Sequence, residues 1–148
     1  MDQSNELMWI LKKGKLSREV VSHVESELDI SFPTDYVDCV MQNNGGQPVP
    51  DTFNFQERTG AVFNSLIHLN IGESRNIVDV YNNLKLRLPK KIYPFADDPF
   101  GNYLCFDYRE GKAPVIVFWD HEKASIHEES SISFVSSSFN ELLDNLYE

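Results

Sequence analysis

The chain has 148 residues, enough for one domain that buries a core without disulfides or a structural metal. Its 23 acidic and 13 basic residues give a formal net charge of -10, which argues against non-specific nucleic-acid binding and against docking to anionic membranes. Hydrophobic residues make up 41% of the chain, so its composition is that of a globular protein and not of a disordered or fibrous one.

Three helical patterns open the chain. In the first, apolar residues at i, i+3 and i+4 predict an N-terminal helix within residues 1–14, which could be peripheral to the domain. A second helix follows the N-cap residue Ser17, and a third begins at Pro33, whose fixed φ suits a first helical turn. The residues that form the apolar faces are Leu7, Ile10 and Leu11, then Val21, Val24 and Leu28, then Tyr36, Val37, Val40 and Met41.

The rest of the chain contains short strand patterns and two helices. One helix is predicted over residues 74–84, and another after the capping box of Ser138 and Glu141. Residues 114–119 form an almost unbroken apolar run, which predicts an interior strand covered on both faces. The other predicted strands are residues 52–55, 66–69, 93–96, 103–108 and 130–135. The helices come first, and the strands that follow are connected by short turns. This order indicates one α+β domain over residues 1–148.

The charge is unevenly distributed along the sequence. Residues 19–57 contain 8 acids and no Lys or Arg, and residues 92–148 contain 11 acids and 3 bases, whereas residues 1–18 and 58–91 are net basic. Such asymmetry suggests a basic partner or substrate, although acidic cytosolic proteins often show it without one. The sequence has no signal-peptide pattern, and its two cysteines lie among apolar residues. We therefore expect a cytoplasmic protein with two buried thiols.

One cluster of residues suggests catalysis or metal binding. Asp120-His121-Glu122 and His127-Glu128-Glu129 each place a histidine beside carboxylates. A metal site needs three or four converging ligands, and these two histidines match no known spacing, so a solvated acidic surface is the favoured interpretation. Cys39 could be a nucleophile beside His23 or His68, but on an apolar helix it more often acts as a small hydrophobe. We expect no catalytic residues, metal or cofactor.

Two stretches of the sequence carry a resemblance to a known family. The first is residues 27–36 (ELDISFPTDY), followed by residues 43–46 (NNGG). The second combines residues 93–98 (YPFADD), 101–107 (GNYLCFD) and 114–122 (PVIVFWDHE). In this order, and with the closing helix, they resemble the SUKH superfamily, which includes the fungal Smi–Knr cell-wall-synthesis regulators and many bacterial immunity proteins.

The resemblance implies an α+β domain whose mainly antiparallel sheet is flanked by helices, and it supplies no catalytic residues. Bacterial members typically bind and neutralise polymorphic toxins, often nucleases or nucleic-acid deaminases. Toxins that act on nucleic acid tend to have basic clefts, which an acidic inhibitor can occupy with a fast, salt-dependent association. We therefore expect an immunity protein that binds a basic toxin surface, and that binds neither nucleic acid nor membrane directly.

The expected partner-binding surface is built partly from residues 97–129. Its carboxylates would enter the basic cleft, and its aromatic side chains would act as anchors. The candidates are Asp97, Asp98, Asp107, Asp120, Glu122, Glu128 and Glu129, with Phe100 and Tyr103 as aromatic anchors. Two alternatives remain open: a regulatory protein-interaction module without a toxin partner, and a metal-dependent enzyme that uses His121 and His127.

Overall fold

A five-stranded antiparallel sheet organises the molecule, whose computed structural model describes residues 7–56 and 58–148. In chain order the strands are β1 (Met8–Ile10), β2 (Gln47–Val49), β3 (Thr52–Phe55), β4 (Arg58–Val62), β5 (Ser65–Leu66), β6 (Ile92–Asp97), β7 (Tyr103–Asp107), β8 (Val115–Trp119) and β9 (Ile132–Ser136). The helices are α1 (Arg18–Leu28), α2 (Thr34–Asn43), α3 (Ile77–Leu84), α4 (His121–Ala124) and α5 (Phe139–Asp144). The main sheet has the order β5-β6-β7-β8-β9, and β1-β2 and β3-β4 form two-stranded sheets. The predicted α+β class with a mainly antiparallel sheet is confirmed.

Side-chain caps set where three of the helices begin. The Ser17 hydroxyl accepts a hydrogen bond from the Val20 amide at 3.3 Å, and the Ser138 hydroxyl accepts one from the Glu141 amide at 3.1 Å. Asn76 caps α3 in the same way, by accepting from two amides of its first turn at 2.9 and 3.0 Å. Each side chain satisfies backbone donors that a helix start leaves unpaired. This is why α3 begins at Ile77 and not at residue 74.

The two faces of the main sheet are covered by two separate apolar clusters. Alternation along β7 sends Phe106 to one face and Cys105 to the other. The larger cluster packs α1, α2 and α5 on the sheet around a set of aromatic rings, and Phe106 lies 4.3 Å from Phe95 and 5.0 Å from Tyr36 between ring centroids. The smaller cluster includes Trp119 and receives side chains from α3 and α4. Residues 116–119 of β8 are all buried, as expected for an interior strand.

The prediction of an N-terminal helix within residues 1–14 is wrong for residues 7–14, which the structure describes. Residues 1–6 lie outside the described part of the chain. Met8–Ile10 is β1, whose Trp9 is the register partner of Pro48 in β2. The Trp9 ring meets Phe63 at 5.9 Å, while Met8 and Ile10 are 63% and 41% exposed. Burial thus follows the period of two of a strand, because residues 47–49 supply a hydrogen-bonding edge that the helical spacing does not reveal.

Candidate partner-binding surface

The strand order gathers eight of the nine candidate residues at one end of the main sheet. Asp97 ends β6, Tyr103 begins β7, Trp119 ends β8 and Ile132 begins β9, and these four residues are register partners in one row. Because neighbouring strands run in opposite directions, the connections after β6 and β8 project from the same edge of the row. We call residues 97–103 and 120–131 the acidic end. Asp107 lies outside it, at the other end of β7.

Asp98 shapes the β6–β7 turn from inside. It is 7% exposed, and its Oδ1 accepts hydrogen bonds from the Phe100 and Asn102 amides, both at 2.8 Å. Its Oδ2 accepts from Asn102 Nδ2 at 2.9 Å. Gly101 adopts a φ of 90°, which favours glycine, and a Cβ there would crowd the His121 ring at 3.2 Å from Nε2. The turn therefore holds Phe100 at its tip, where the ring is 68% exposed.

The Asp97 side chain, at the end of β6, connects this strand to the edge strand β5. Its Oδ1 accepts three hydrogen bonds at 3.1 Å, from Asn64 Nδ2 and from the amide and hydroxyl of Ser65. Burial raises the pKa of this carboxyl, the hydrogen bonds from Asn64 and Ser65 partly lower it, and the charge of Asp98 raises it further. The Asp97 carboxylate is thus committed to internal contacts in a site that disfavours its charge.

The β8–β9 connection is fastened to its neighbours through the start of α4. Asp120 caps this short helix, and its Oδ1 accepts from the Glu122 and Lys123 amides at 2.9 and 3.2 Å. The His121 amide donates to Asn102 Oδ1 at 3.0 Å, which links the two connections of the acidic end directly. Arg87 follows α3, and its Nη2 donates to the His121 carbonyl at 3.1 Å. Hydrogen bonds from the Asp120 cap, the β6–β7 turn and Arg87 therefore fix the backbone at the start of α4.

The exposed part of the acidic end combines carboxylates with apolar side chains. Glu122, Glu128 and Glu129 are exposed, and Lys123 among them carries a positive charge. Ile126 lies in the same connection and is 85% exposed, and Leu86, beside Arg87, is 96% exposed. Leu86 and Ile126 are not among the residues predicted from the sequence, although an isolated apolar residue within a polar turn is a signal for an exposed apolar side chain.

Two other candidates are tied into the structure. Tyr103 is half-buried with its ring centroid 6.2 Å from that of Trp119, and burial is the largest cause of the rise in its pKa. Asp107 is buried and forms a bidentate pair with Arg109, at 3.0 Å from Nε and 2.9 Å from Nη2. This pair closes the β7–β8 turn, so Asp107 has a structural role apart from the acidic end.

The histidine–carboxylate cluster has a different geometry from that of a metal centre. The His121 ring packs beside Gly101, and His127 is exposed in the connection before β9. Within residues 7–56 and 58–148, no group of three His, Cys, Asp or Glu side chains is placed to hold a metal ion. Cys39 is half-buried, and burial raises the pKa of its thiol to about 11, which opposes a role as a nucleophile.

No helix in the described part of the chain has the length and apolar character needed to cross a membrane.

Comparison with known proteins gives two matches. Residues 18–143 match a SUKH family model described as SMI1-KNR4 cell-wall. Over 69 residues the chain is 35% identical to the SPbeta prophage-derived uncharacterized protein YokK of Bacillus subtilis (strain 168). That alignment covers 47% of this chain and 32% of YokK, so the chain matches about a third of the length of this curated relative. The family match includes every residue of the acidic end.

Proposed function

The chain belongs to the SUKH superfamily of SMI1-KNR4-like domains, and from this premise we propose that it is an immunity protein that blocks a cognate toxin. Immunity proteins are common among domains of this kind. The observation that carries the proposal is the presentation of Phe100, 68% exposed on a turn that internal hydrogen bonds fix. Exposed carboxylates lie in the connection beside that turn.

The acidic end has the properties that tight binding to a basic cleft requires. An aromatic ring on a fixed turn can fill a pocket with little loss of conformational entropy on binding. Carboxylates in the neighbouring β8–β9 connection can pair with Lys and Arg side chains of the partner and accelerate the encounter at low salt. A nuclease or another toxin that acts on nucleic acid is the partner class that fits, because its substrate demands a basic surface.

The proposal divides the candidate residues by what their side chains are free to do. Phe100, Glu122, Glu128 and Glu129 would contact the toxin, and Leu86 and Ile126 would extend the apolar part of the interface. Asp97, Asp98 and Asp120 would act by fixing the backbone and by adding to the negative field, and Tyr103 by supporting Asp97 from the next strand. Occlusion of this kind needs no reaction by the chain, and it would take place in the cytoplasm.

The decisive experiment is co-expression with the toxin domain encoded by the neighbouring reading frame. We expect the wild-type chain to restore growth and to co-purify with the toxin domain. A variant with both Glu128→Lys and Glu129→Lys should protect less well. The control is Glu19→Lys, which reverses one negative charge at an exposed position of α1, away from the acidic end, and which should protect as well as the wild type. Killing in the presence of the wild-type chain would overturn the proposed function. Full protection by the acidic-end variant would overturn the proposed surface.

A further inference from the structure

A cleft of about 550 Å³ opens on the flank of the main sheet, between β5, α3 and the loop that precedes α3. Its volume is in the range of sites that hold small molecules. It is distinct from the exposed turn tips of the acidic end, although Asp97 and Tyr103 border both. The side chains that line the cleft combine cationic, hydroxyl and apolar groups.

Two cations line this cleft in a protein whose net charge is -10. Lys13 and Arg75 come from the two net-basic segments, residues 1–18 and 58–91. Among the residues that the structure describes, neither forms an ion pair with a carboxylate. A lysine and an arginine can neutralise a negative group of a ligand, and such charge-assisted hydrogen bonds are stronger than neutral ones.

The backbone has an unusual conformation beside both cations. The stem of Lys13 crosses Gly45, where a Cβ would lie 3.1 Å from Lys13 Cγ and Cδ, and Gly45 has a φ of 69°. Arg75 itself has a φ of 66°, a left-handed conformation that a residue with a side chain seldom adopts. Its guanidinium lies near enough to Tyr103 for its charge to oppose part of the rise in the pKa of Tyr103, which burial and then the charge of Asp97 cause.

The other walls indicate how a ligand would be oriented. Val80 and Leu84 of α3 and the ring of Tyr103 form an apolar side. His68 Nδ1 accepts from the Asn70 amide at 3.2 Å, and its Nε2 lies 3.1 Å from the Ser74 carbonyl, so the ring contacts the loop before α3 at two places. Asp97 would repel an anionic group. The negative end of a ligand is therefore expected beside Lys13 and Arg75, and its apolar part against the sheet.

We propose that this cleft binds a small organic anion, whose carboxylate or phosphate is held by Lys13 and Arg75 and whose apolar body packs on Tyr103, Val80 and Leu84. The proposal is independent of the toxin. A phosphate monoester and a carboxylic acid share the required chemistry, and separate probes distinguish them.

The test is a titration of the full chain with phenyl phosphate, phenylacetate and inorganic phosphate. Calorimetry measures the affinity, and amide chemical shifts identify the residues that each compound contacts. We expect saturable binding of at least one organic anion, with shifts at Ser65, Arg75 and Tyr103, and weaker binding of inorganic phosphate. Lys13→Gln and Arg75→Gln should each weaken binding about tenfold, the loss expected for one charged hydrogen bond. Lys112→Gln, at an exposed site in the β7–β8 connection, is the matched control and should leave the affinity unchanged.

Three results would overturn the proposal. These are no saturable binding of either organic anion, shifts confined to residues outside the cleft, and equal affinity in the wild type and the two cleft variants. Equal affinity for inorganic phosphate and phenyl phosphate would also contradict the proposal, because it would show that the apolar side of the cleft does not contribute to binding. The chemical-shift changes of the wild-type protein test the site even if one variant folds poorly. Urea unfolding of each variant shows whether it is as stable as the wild type.

Discussion

Asp98 accepts hydrogen bonds from both the backbone amide and the side-chain amide of Asn102, at 2.8 and 2.9 Å. The Asp98 amide donates in return to the Asn102 carbonyl at 3.0 Å. Asn102 also accepts from the His121 amide through its Oδ1. The pair therefore closes the turn that carries Phe100 and fastens this turn to the connection after β8. A carboxylate that the sequence suggests as a contact residue instead fixes the geometry of its neighbour.

Replacing Asp98 with alanine should destabilise the fold. The change leaves the Phe100 and Asn102 amides and the Asn102 side chain without their acceptor, and we expect the free energy of unfolding to fall by about 2–3 kcal/mol. Asp98→Asn retains one acceptor oxygen and should cost less. Urea unfolding measures both, with Glu122→Ala as an exposed control that should change stability by less than about 0.5 kcal/mol. Equal unfolding curves for Asp98→Ala and the wild type would contradict this role.

Phe100 should contribute to binding and little to stability. Its ring is 68% exposed in the free protein, so Phe100→Ala should change the free energy of unfolding by less than about 0.5 kcal/mol. If the ring anchors the proposed interface, the same change should cost about 2 kcal/mol of binding free energy. Calorimetry with a catalytically inactivated toxin domain measures this cost.

Phe134 provides the matched control for Phe100. It is another exposed aromatic residue, 49% exposed on β9 and outside the acidic end. Phe134→Ala should leave the affinity for the toxin domain unchanged. Equal losses of affinity in the two variants would place the interface elsewhere or over a wider area.

Much of the fold could be predicted from local signals. Ser17, Ser138 and the apolar spacing of the helices each specify an element without distant contacts, and the apolar run of β8 marks an interior strand. The strands at the periphery could not be predicted this way. Arg58–Val62 has one buried residue, Ala61, and becomes β4 because β3 supplies its hydrogen bonds. Such strands depend on a partner that is not visible in their own sequence.

The candidate surface shows a similar division. That residues 97–103 and 120–131 would meet follows from antiparallel strand order. Which carboxylates remain free does not follow, because Asp98 and Glu128 have the same chemistry until the turn buries one and exposes the other. Aspartates in turns commonly accept hydrogen bonds from backbone amides of the same turn, as Asp98 does from Phe100 and Asn102.

The thiols should react slowly in the folded protein. Burial raises the pKa of Cys39 to about 11, the Asn43 hydrogen bond partly lowers it, and the charge of Asp35 raises it. Burial also raises the pKa of the fully buried Cys105 well above its usual value. Three pH units below its pKa, Cys39 is thiolate in only about one molecule in a thousand.

Alkylation with iodoacetamide near pH 8, followed by mass spectrometry, measures this effect. We expect slow modification of Cys39, slower modification of Cys105, and fast modification of both in urea. The rate at Cys39 should increase with pH up to about 11. A Cys39→Ser variant reports Cys105 alone. Modification of folded Cys39 as fast as in urea would contradict its burial.

Asp97→Asn should stabilise the protein increasingly as the pH rises. Burial is the largest cause of the raised pKa of Asp97, so the folded state binds a proton on this carboxyl more readily than the unfolded chain, whose pKa is near 3.8. The unfolded state therefore holds fewer protons between the two pKa values, and the stability of the wild type falls as the pH rises through that interval. Asparagine keeps an oxygen that can accept from Asn64 and Ser65 and carries no charge to desolvate.

Urea unfolding of both proteins from acidic to neutral pH tests this sign. The difference in the free energy of unfolding, Asp97→Asn minus wild type, should be smallest near pH 3.8 and largest at neutral pH. Asp144→Asn, at an exposed position of α5, controls for the loss of one formal charge. A difference that stays constant with pH would mean that burial and the hydrogen bonds cancel at Asp97, and a difference that shrinks as the pH rises would mean that the hydrogen bonds from Asn64 and Ser65 outweigh burial. In that case the carboxylate would stabilise the junction of β5 and β6 through its charge-assisted hydrogen bonds.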